Sequence, residues 1–193
     1  MSAETLKREI RACTVCAEHL PLGPKPIVQF SAISQIVVIG QAPGRITHQT
    51  GFAFDDKSGE RLAEWLGLTF DELHDPARVA IVSMGLCYPG RASGGDKPPR
   101  PECAPLWHDR VWNELPEDRL TLLVGTYAQR AYLPETKMWT MARRIAAFRN
   151  FMPRYFPLPH PAWRSTLFMR DNPFFEADVL PVLRREVAQA FAV

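Results

Sequence analysis

The stretch QIVVIGQAPGRITHQTGFAFDDKSGERLAEWL, residues 35–66, carries the pattern that decides the fold. It begins with a short apolar run that is typical of a buried strand, and it ends with residues that suit a helix. The segment Gly40–Gly59 contains four glycines, which allow the backbone to approach a ligand closely, and Pro43 stiffens the turn. The stretch therefore predicts a strand, a ligand-accessible turn and a helix in succession.

The same alternation of strand and helix continues along the chain. Apolar runs bounded by turn residues predict strands at Gln35–Ile39, Val79–Ser83 and Leu120–Val124. Tyr155–Leu158 is a weaker fourth strand, because Pro157 cannot donate a backbone hydrogen bond. Helices are predicted at Glu4–Ala12, Gly59–Leu66, Glu102–Asn113, Thr126–Tyr132, Met141–Asn150 and Phe175–Ala190. The pattern indicates an α/β fold, a single three-layer α/β/α domain around a central, mostly parallel four-stranded sheet.

The ends of these strands predict where a ligand would bind. Parallel sheets of this class bind ligands just beyond the carboxyl ends of their strands. In this chain those ends lead into Gly40–Gly44, Ser83, Gly125 and His160. We therefore expect a cleft whose walls come from these four segments.

Size and composition are those of an ordinary globular protein. The chain has 193 residues, of which 46% are hydrophobic and 23% are charged. One domain spanning residues 1–193 accommodates a chain of this length. The longest apolar runs are far too short to span a bilayer, and residues 1–12 lack the apolar segment of a signal peptide. We expect a cytoplasmic protein and a monomer.

Positive charge is concentrated in one window of the sequence. The net charge is only +2, yet residues 136–170 contain seven Lys and Arg, seven aromatic residues and no Asp or Glu. Basic side chains neutralise phosphates and aromatic rings stack on bases, so this mixture favours a nucleic-acid partner. For any single residue, the alternative is a solvated helix face or a core position. The candidate nucleic-acid contacts are Arg143, Arg144, Trp163 and Arg164.

Four cysteines suggest a metal site. Cys13 and Cys16 form a Cys-x-x-Cys pair, the usual spacing for zinc or iron ligation by sulfur. Cys87 and Cys103 flank the loop of residues 88–102. Four thiolates on one centre would tie the N-terminal arm, residues 1–30, to the segment 87–103. Zinc and an iron–sulfur cluster both accept four cysteines, so the spacing does not separate them.

Together these motifs resemble the uracil-DNA glycosylase superfamily, and most closely its iron–sulfur branch, usually called family four. That branch opens its site with Gly-Glu-Ala-Pro-Gly, followed by Gly-x-x-Phe and a further Gly. This chain has GQAPG at 40–44, GFAF at 51–54 and Gly59. The late His-Pro-x motif of the family corresponds to residues 160–162. The cysteines also follow the order and spacing of the branch, so the resemblance covers nearly the whole chain.

The resemblance implies an activity and a set of roles. The family hydrolyses the N-glycosidic bond of uracil in DNA after flipping the nucleotide out of the stack. His160 would stabilise the departing uracil anion, and Phe54 would stack on the flipped base. The residues implied to line the pocket and hold the attacking water are Gly40, Gln41, Ala42, Pro43 and Gly44. For the four cysteines, the resemblance implies that they bind a structural 4Fe–4S cluster and not zinc.

The chain departs from the branch at positions that bear on the chemistry. The Glu after the first glycine is Gln41, which cannot act as a general base. The Asn that reads uracil falls on Ser83, so base discrimination should be less strict. In the late loop, Trp163 could wedge into the duplex or pack against the body of the protein. The remaining candidates to activate water are His48, Asp55 and Asp56.

The sequence leaves two other classes of function open. One is a DNA-binding module of the same fold that recognises lesions without cutting them. The other is a zinc-ribbon-like interaction protein in which the cysteines carry the function and the cleft has none. An excision assay on uracil-containing DNA discriminates the first, and the visible absorbance of an iron–sulfur cluster discriminates the second.

Overall fold

Four parallel strands form the central sheet of the structure, a computed structural model that describes residues 2–192. The sheet has the order β2-β1-β5-β6, and each pairing in it is parallel. A separate antiparallel hairpin is formed by β3 and β4. The strands are β1 (Ile36–Ile39), β2 (Val79–Ile81), β3 (Arg91–Ala92), β4 (Gly95–Asp96), β5 (Leu120–Val124) and β6 (Tyr155–Leu158).

The edge position of β6 explains how the sheet accepts a proline. The backbone N–H groups of Thr121 and Gly125 in and after β5 donate to the carbonyl oxygens of Arg154 and Leu158. The even-numbered residues of this segment therefore bond toward β5, and the odd-numbered ones, including Pro157, face outward. The donor that proline lacks is missing only from the open edge, where the sheet does not need it.

Helices cover both faces of the sheet. They are α1 (Ala3–Arg11), α2 (Arg45–Thr50), α3 (Lys57–Leu66), α4 (Phe70–Leu73), α5 (Cys103–Trp112), α6 (Thr126–Tyr132), α7 (Met141–Ala146), α8 (Ser165–Asp171) and α9 (Leu180–Ala190). Side chains of α3, α7 and α9 share one buried cluster with Ile36 and Val38. Side chains of α1, α5 and α6 share a second cluster with Val37 and Ile39. Alternate residues of β1 thus enter opposite layers, and the predicted three-layer α/β/α fold is confirmed.

The helix α3 begins earlier than the sequence predicts. The sequence pattern places its start at Gly59, whereas the helix starts at Lys57. The Asp56 carboxylate accepts hydrogen bonds from the backbone N–H groups of Ser58 and Gly59, at 2.8 and 3.2 Å. Asp56 is therefore the N-cap of this helix, and its side chain satisfies donors that would otherwise lack a partner.

Other boundaries also differ from the prediction. The helix expected over 141–150 ends at Ala146 and is followed by a 3₁₀ turn, Phe148–Asn150. The last helix opens with a π-helical turn, Phe175–Val179. The sequence pattern does not predict α2, α4, α8 or the hairpin, because elements this short carry little periodic signal. Among residues 2–192, no helix has both the length and the apolar character that crossing a bilayer demands.

The N-terminal segment runs along the free edge of β2. Gln29 and Ile81 exchange backbone hydrogen bonds in both directions, and the N–H of Ile27 donates to the carbonyl oxygen of Leu86 at 2.7 Å. Helix α1 packs on the same side of the sheet as α5, with Leu6 buried between them. These contacts bring the segment that carries Cys13 and Cys16 close to the chain around Cys87.

Candidate active site

A cavity of about 650 Å³ opens at the carboxyl edge of the sheet. It lies where the strand-end rule predicts a cleft, because its wall includes residues that follow each of the four sheet strands. Phe54 and the hairpin residues 94–96 are also part of the wall. The residues that follow the strands are Gln41, Ala42, Pro43 and Gly44 after β1, Ser83 after β2, Gly125 after β5 and His160 after β6.

Two glycines allow Phe54 to reach the cavity. Phe54 has φ +56°, in the left-handed region that residues with a side chain rarely adopt. A Cβ on Gly59 would lie 1.8 Å from the Phe54 carbonyl oxygen, so only glycine lets α3 approach this turn. A Cβ on Gly40 would lie 3.3 Å from the Phe54 ring and 3.0 Å from Ser83 Oγ. Gly40 therefore lies behind the ring, and the backbone fixes where the ring stands.

His160 lies close to Phe54 in the cavity wall, with 6.4 Å between the two ring centroids. The backbone N–H of Ala162 donates to Nδ1 of His160 at 3.2 Å, so the neutral ring carries its proton on Nε2. Burial lowers the pKa of His160, and the Asp56 carboxylate partly opposes this shift. At neutral pH the ring is therefore an uncharged hydrogen-bond donor.

Buried hydrogen bonds hold the segment that leads to His160. The Leu158 carbonyl oxygen accepts from the backbone N–H of Gly125 at 2.9 Å and from Gln129 Nε2 at 2.8 Å. Gln129 itself is fully buried. Gly125 has φ +85°, and a Cβ at this position would lie 3.5 Å from the His160 Cβ. The end of β6 is thus fixed by the neighbouring strand and helix before the chain enters the cavity.

A buried chain of polar groups fixes the backbone of Ser83. The ring of His108 is 3% exposed, and its Nε2 lies 3.0 Å from the Ser83 carbonyl oxygen. Its Nδ1 accepts from the Tyr132 hydroxyl, which accepts in turn from the indole N–H of Trp112 at 3.1 Å. Burial lowers the pKa of His108, which keeps the ring neutral with Nε2 as the donor. Every polar group in this buried network thus has a hydrogen-bond partner.

Two hydrogen bonds connect the cavity wall to the β3–β4 hairpin. Gln41 Nε2 donates to the Lys97 carbonyl oxygen at 3.2 Å, and Arg164 donates to the Gly94 carbonyl oxygen at 3.2 Å. These bonds place Asp96 in the cavity wall. Asp96 is absent from the sequence-based candidates, although the Gly-Gly-Asp sequence that precedes Lys97 is a turn signal that could have indicated a hairpin.

The family model described as Uracil DNA glycosylase superfamily matches residues 28–184. The chain belongs to this superfamily. The matched span includes every residue of the cavity wall except Ile27, and Cys13 and Cys16 also precede it. A solution NMR structure of a candidate uracil DNA glycosylase from Methanosarcina acetivorans is similar at 13% identity, with a TM-score of 0.47. That similarity covers 83% of this chain and 98% of the other.

One predicted member of the glycosylase site, His48, is not brought to the cavity. Its ring faces Tyr88, with 6.2 Å between the centroids, and His48 is not part of the cavity wall. Burial and the nearby Lys25 ammonium lower its pKa. The structure therefore places His48 outside the cavity in which it was expected to activate water. Asp55 also lies outside the wall, whereas Asp56 lines the cavity and caps α3 at the same time.

The basic window of this superfamily member contains buried as well as exposed residues. Arg144 is only 1% exposed, and its guanidinium donates to the hydroxyl and carbonyl oxygens of Thr136, each at 2.7 Å. This corrects the expectation that Arg144 contacts DNA, because a buried guanidinium cannot reach a phosphate. Arg143 is exposed and lies 4.2 Å from the centroid of the Trp139 ring. Adjacent positions of α7 thus have different environments.

The late loop places Arg164 in the cavity wall and leaves Trp163 exposed. Trp163 is 68% exposed, so the alternative that it packs against the body of the protein is wrong. Arg164 lines the cavity and lies 5.3 Å from the centroid of the Trp163 ring. Arg61 of α3 donates to the Ala162 carbonyl oxygen at 3.1 Å and to the Ser165 hydroxyl at 2.8 Å. The loop is therefore held at its base while its indole projects outward.

The four cysteines of this glycosylase-superfamily chain lie in one region and are free thiols. Burial raises the pKa of Cys87 to about 11 and of Cys103 to about 12, and the neighbouring cysteines push both further. The backbone of Lys25 and of Leu86 hydrogen-bonds these two thiols and opposes the rise. Among residues 2–192, no group of three or more His, Cys, Asp or Glu is arranged to hold a metal ion.

Proposed function

We propose that the protein hydrolyses the N-glycosidic bond of uracil, and of other deaminated bases, in DNA. The observation that supports this most strongly is the neutral His160, with its proton on Nε2, beside Phe54 in the strand-edge cavity of a superfamily member. Enzymes that act on a base must take it out of the duplex, and a cavity of about 650 Å³ has room for a flipped nucleotide.

The proposed reaction separates charge between the base and the sugar. As the C1′–N1 bond breaks, negative charge develops on uracil and positive charge develops on the deoxyribose. His160 donates a hydrogen bond from Nε2 to the developing anion, which a preorganised donor stabilises most in the transition state. Phe54 stacks on the flipped base and holds it against His160 while the bond breaks.

The proposed base specificity follows from Ser83. A hydroxyl has one proton that rotates to suit its partner, whereas an Asn amide presents a fixed donor and a fixed acceptor. Loss of a two-point contact weakens discrimination between bases that differ in one exocyclic group. Uracil, hypoxanthine and xanthine are accordingly all proposed substrates, with uracil as the preferred one.

Exposed members of the basic window are proposed to bind the DNA. Arg143 and Arg164 neutralise phosphates, and the release of counterions makes the affinity fall steeply with salt. Trp163 projects from the late loop beside the cavity, where a large apolar ring can occupy the gap that a flipped base leaves. Arg61 positions this loop through its bonds to residues 162 and 165.

A structural 4Fe–4S cluster is proposed for the four cysteines, with zinc as the alternative. This proposal is supported by thiols that are free, share one buried region and lose solvation, and by backbone groups that hydrogen-bond two of the sulfurs, although the described residues are not arranged around a single metal ion. The cluster would supply a cross-link between the N-terminal arm and the loop after Cys87. Its ligands would be Cys13, Cys16, Cys87 and Cys103.

The identity of the proposed centre is tested on protein purified without oxygen. Iron and sulfide in equal amounts, with a brown colour, support the cluster, whereas zinc without visible absorbance supports the alternative. Cys103→Ala should release the loop of residues 88–102 and lower the melting temperature. Protein that contains neither metal and melts normally after this substitution contradicts the proposal.

A second candidate function is a lesion-binding module without catalysis. Gln41 favours it, because an amide stands where the resembling branch carries a carboxylate and cannot accept a proton from water. In this case the cavity would bind a flipped base and retain it.

The deciding experiment measures base release from single- and double-stranded oligonucleotides that contain uracil, hypoxanthine or xanthine. Release of uracil in single-turnover conditions supports the glycosylase. Tight, lesion-dependent binding without release from any of these substrates contradicts it and supports the binding module. An otherwise identical oligonucleotide with thymine serves as the control.

A further inference from the structure

We infer that the Asp96 carboxylate, carried by the β3–β4 hairpin, activates the attacking water in place of the carboxylate that position 41 lacks. This role rests on the proposed hydrolysis of the glycosidic bond. It assigns to the loop of residues 88–102 a part in the chemistry as well as in the proposed metal centre.

Asp96 stands beside the turn that the resembling branch uses to hold water. It lines the same cavity as Phe54 and His160. Its Oδ2 lies 3.7 Å from the position that a Cβ on Gly44 would occupy, so the carboxylate adjoins the backbone of the first motif. A glycine at position 44 leaves this space open. Asp96 therefore supplies a carboxylate, from a different part of the chain, near the position at which this protein has Gln41 instead of a glutamate.

The competing carboxylate in the cavity already has a structural task. Among the described residues that line the cavity, the acids are Asp56 and Asp96. Asp56 Oδ1 accepts two backbone hydrogen bonds at the start of α3. No comparable hydrogen bond occupies the Asp96 carboxylate among those described for residues 2–192. Asp96 is consequently the carboxylate that is available to a water molecule.

Gln41 has a different role in this arrangement. Its amide donates to the carbonyl oxygen of Lys97, the residue that follows Asp96. Arg164 donates to the carbonyl oxygen of Gly94, two residues before it. The hairpin is thus bonded to the cavity on both sides of Asp96. A glutamate at position 41 could not donate this bond, so Gln41 suits a site whose carboxylate is held by the hairpin.

The surroundings of Asp96 also favour a base. Partial burial raises the pKa of its carboxyl, and Arg91, the residue paired with it across the hairpin, acts in the opposite direction. A carboxylate with a raised pKa accepts a proton more readily, which improves general-base catalysis near neutral pH. Both strands of the hairpin, including Asp96, are exposed to solvent, so water reaches the carboxylate.

The proposed step balances as a hydrolysis. The C1′–N1 bond breaks and its electron pair leaves with uracil, whose anion accepts the hydrogen bond from His160. The water oxygen bonds to C1′ and its proton passes to the Asp96 carboxylate. Solvent then takes this proton and protonates the released uracil anion, so the site returns to its starting state with no further reactant.

Asp96→Asn tests the inference in the full-length protein. Removal of a general base should slow single-turnover uracil release by about a hundredfold or more, while the Kd for DNA and the melting temperature stay at wild-type values. Asp118→Asn removes one exposed carboxylate that does not line the cavity and serves as the charge-matched control. In the Asp96→Asn background, Gln41→Glu should restore part of the lost rate, because it returns a carboxylate to the same wall.

The outcomes separate this inference from the proposed function. If the wild type releases uracil and Asp96→Asn keeps its rate, the inference is overturned and the glycosylase stands. If the rate and the DNA affinity of Asp96→Asn fall by the same factor, the carboxylate only shapes the hairpin, which also overturns it. If the wild type releases no base from any substrate, both proposals fail together.

Discussion

The two walls of the cavity are built in different ways. The wall that carries His160 rests on buried hydrogen bonds from Gly125 and Gln129 to the end of β6. The wall that carries Asp96 is a hairpin with exposed strands, joined to the cavity by one bond from Gln41 and one from Arg164. The donor that we propose stabilises the developing charge is thus fixed by the core, and the carboxylate that we propose activates water stands in solvent.

The largest expected effect comes from a substitution in the wall that carries His160. His160→Ala removes the proposed donor to the uracil anion and should lower the single-turnover rate by about a hundredfold or more. The Kd for DNA should barely change, because phosphate contacts supply most of the affinity. His19→Ala, at an exposed histidine, should leave both quantities unchanged. A wild-type rate in the His160→Ala protein would contradict the assigned role.

Arg143 and Arg144 allow a matched comparison of exposed and buried cations. Arg144→Met removes two hydrogen bonds to Thr136 and should lower the free energy of unfolding by about 2 kcal/mol, measured by urea denaturation. Arg143→Met should leave stability unchanged and reduce the salt dependence of DNA binding by about one phosphate contact. Equal effects of the two substitutions on stability would show that burial does not distinguish them.

The stacking role proposed for Phe54 sharpens the comparison, because its ring is placed by backbone geometry. Phe54→Ala should slow uracil release by roughly tenfold, since one base stack is worth about 1–3 kcal/mol. Phe52→Ala is the matched control, because Phe52 lies in the same segment, is 63% exposed and does not line the cavity. Equal rate losses in both variants would indicate a general disturbance of the segment.

The smallest expected effect concerns the pH dependence of stability. Burial lowers the pKa of His108 in the folded protein, whereas the unfolded chain has an ordinary value of about 6.5. Below that pH the unfolded chain binds a proton that the folded His108 does not, so this residue lowers the free energy of unfolding by at most about 1.4 kcal/mol per pH unit. His160 and His48, whose pKa values burial also lowers, add to the loss. His108→Gln should reduce this loss without abolishing it. Denaturation curves between about pH 7.5 and 5.5 measure it.

The sequence was sufficient for the sheet and for the position of the cavity. Val37, Val38 and their neighbours are apolar on both sides of the strand, which is typical of a strand covered by two layers of helices. Once the strands are known, the residues that follow them must meet at one edge. This is why Ser83 and His160 could be placed together from the sequence alone.

Other features depend on contacts that a sequence pattern does not contain. The charge of Arg144 predicts an exposed side chain, but its hydrogen bonds to Thr136 offset the cost of burying the guanidinium. Asp96 lies in a short hairpin with no hydrophobic alternation, and its approach to Gly44 depends on bonds between distant segments. His48 follows a glycine-containing motif that borders the cavity, yet the turn of α2 directs its ring to Tyr88.

The outward-facing Pro157 of β6 has a consequence for how molecules of this protein meet one another. An exposed strand edge can template the strand of a second chain, which leads to aggregation. On β6 the proline removes a donor from the open side, and on β2 the opposite edge is occupied by Gln29, which bonds to Ile81. Neither edge of the sheet therefore offers a continuous row of donors and acceptors. The protein should resist strand-mediated aggregation at concentrations where sheets with open edges associate.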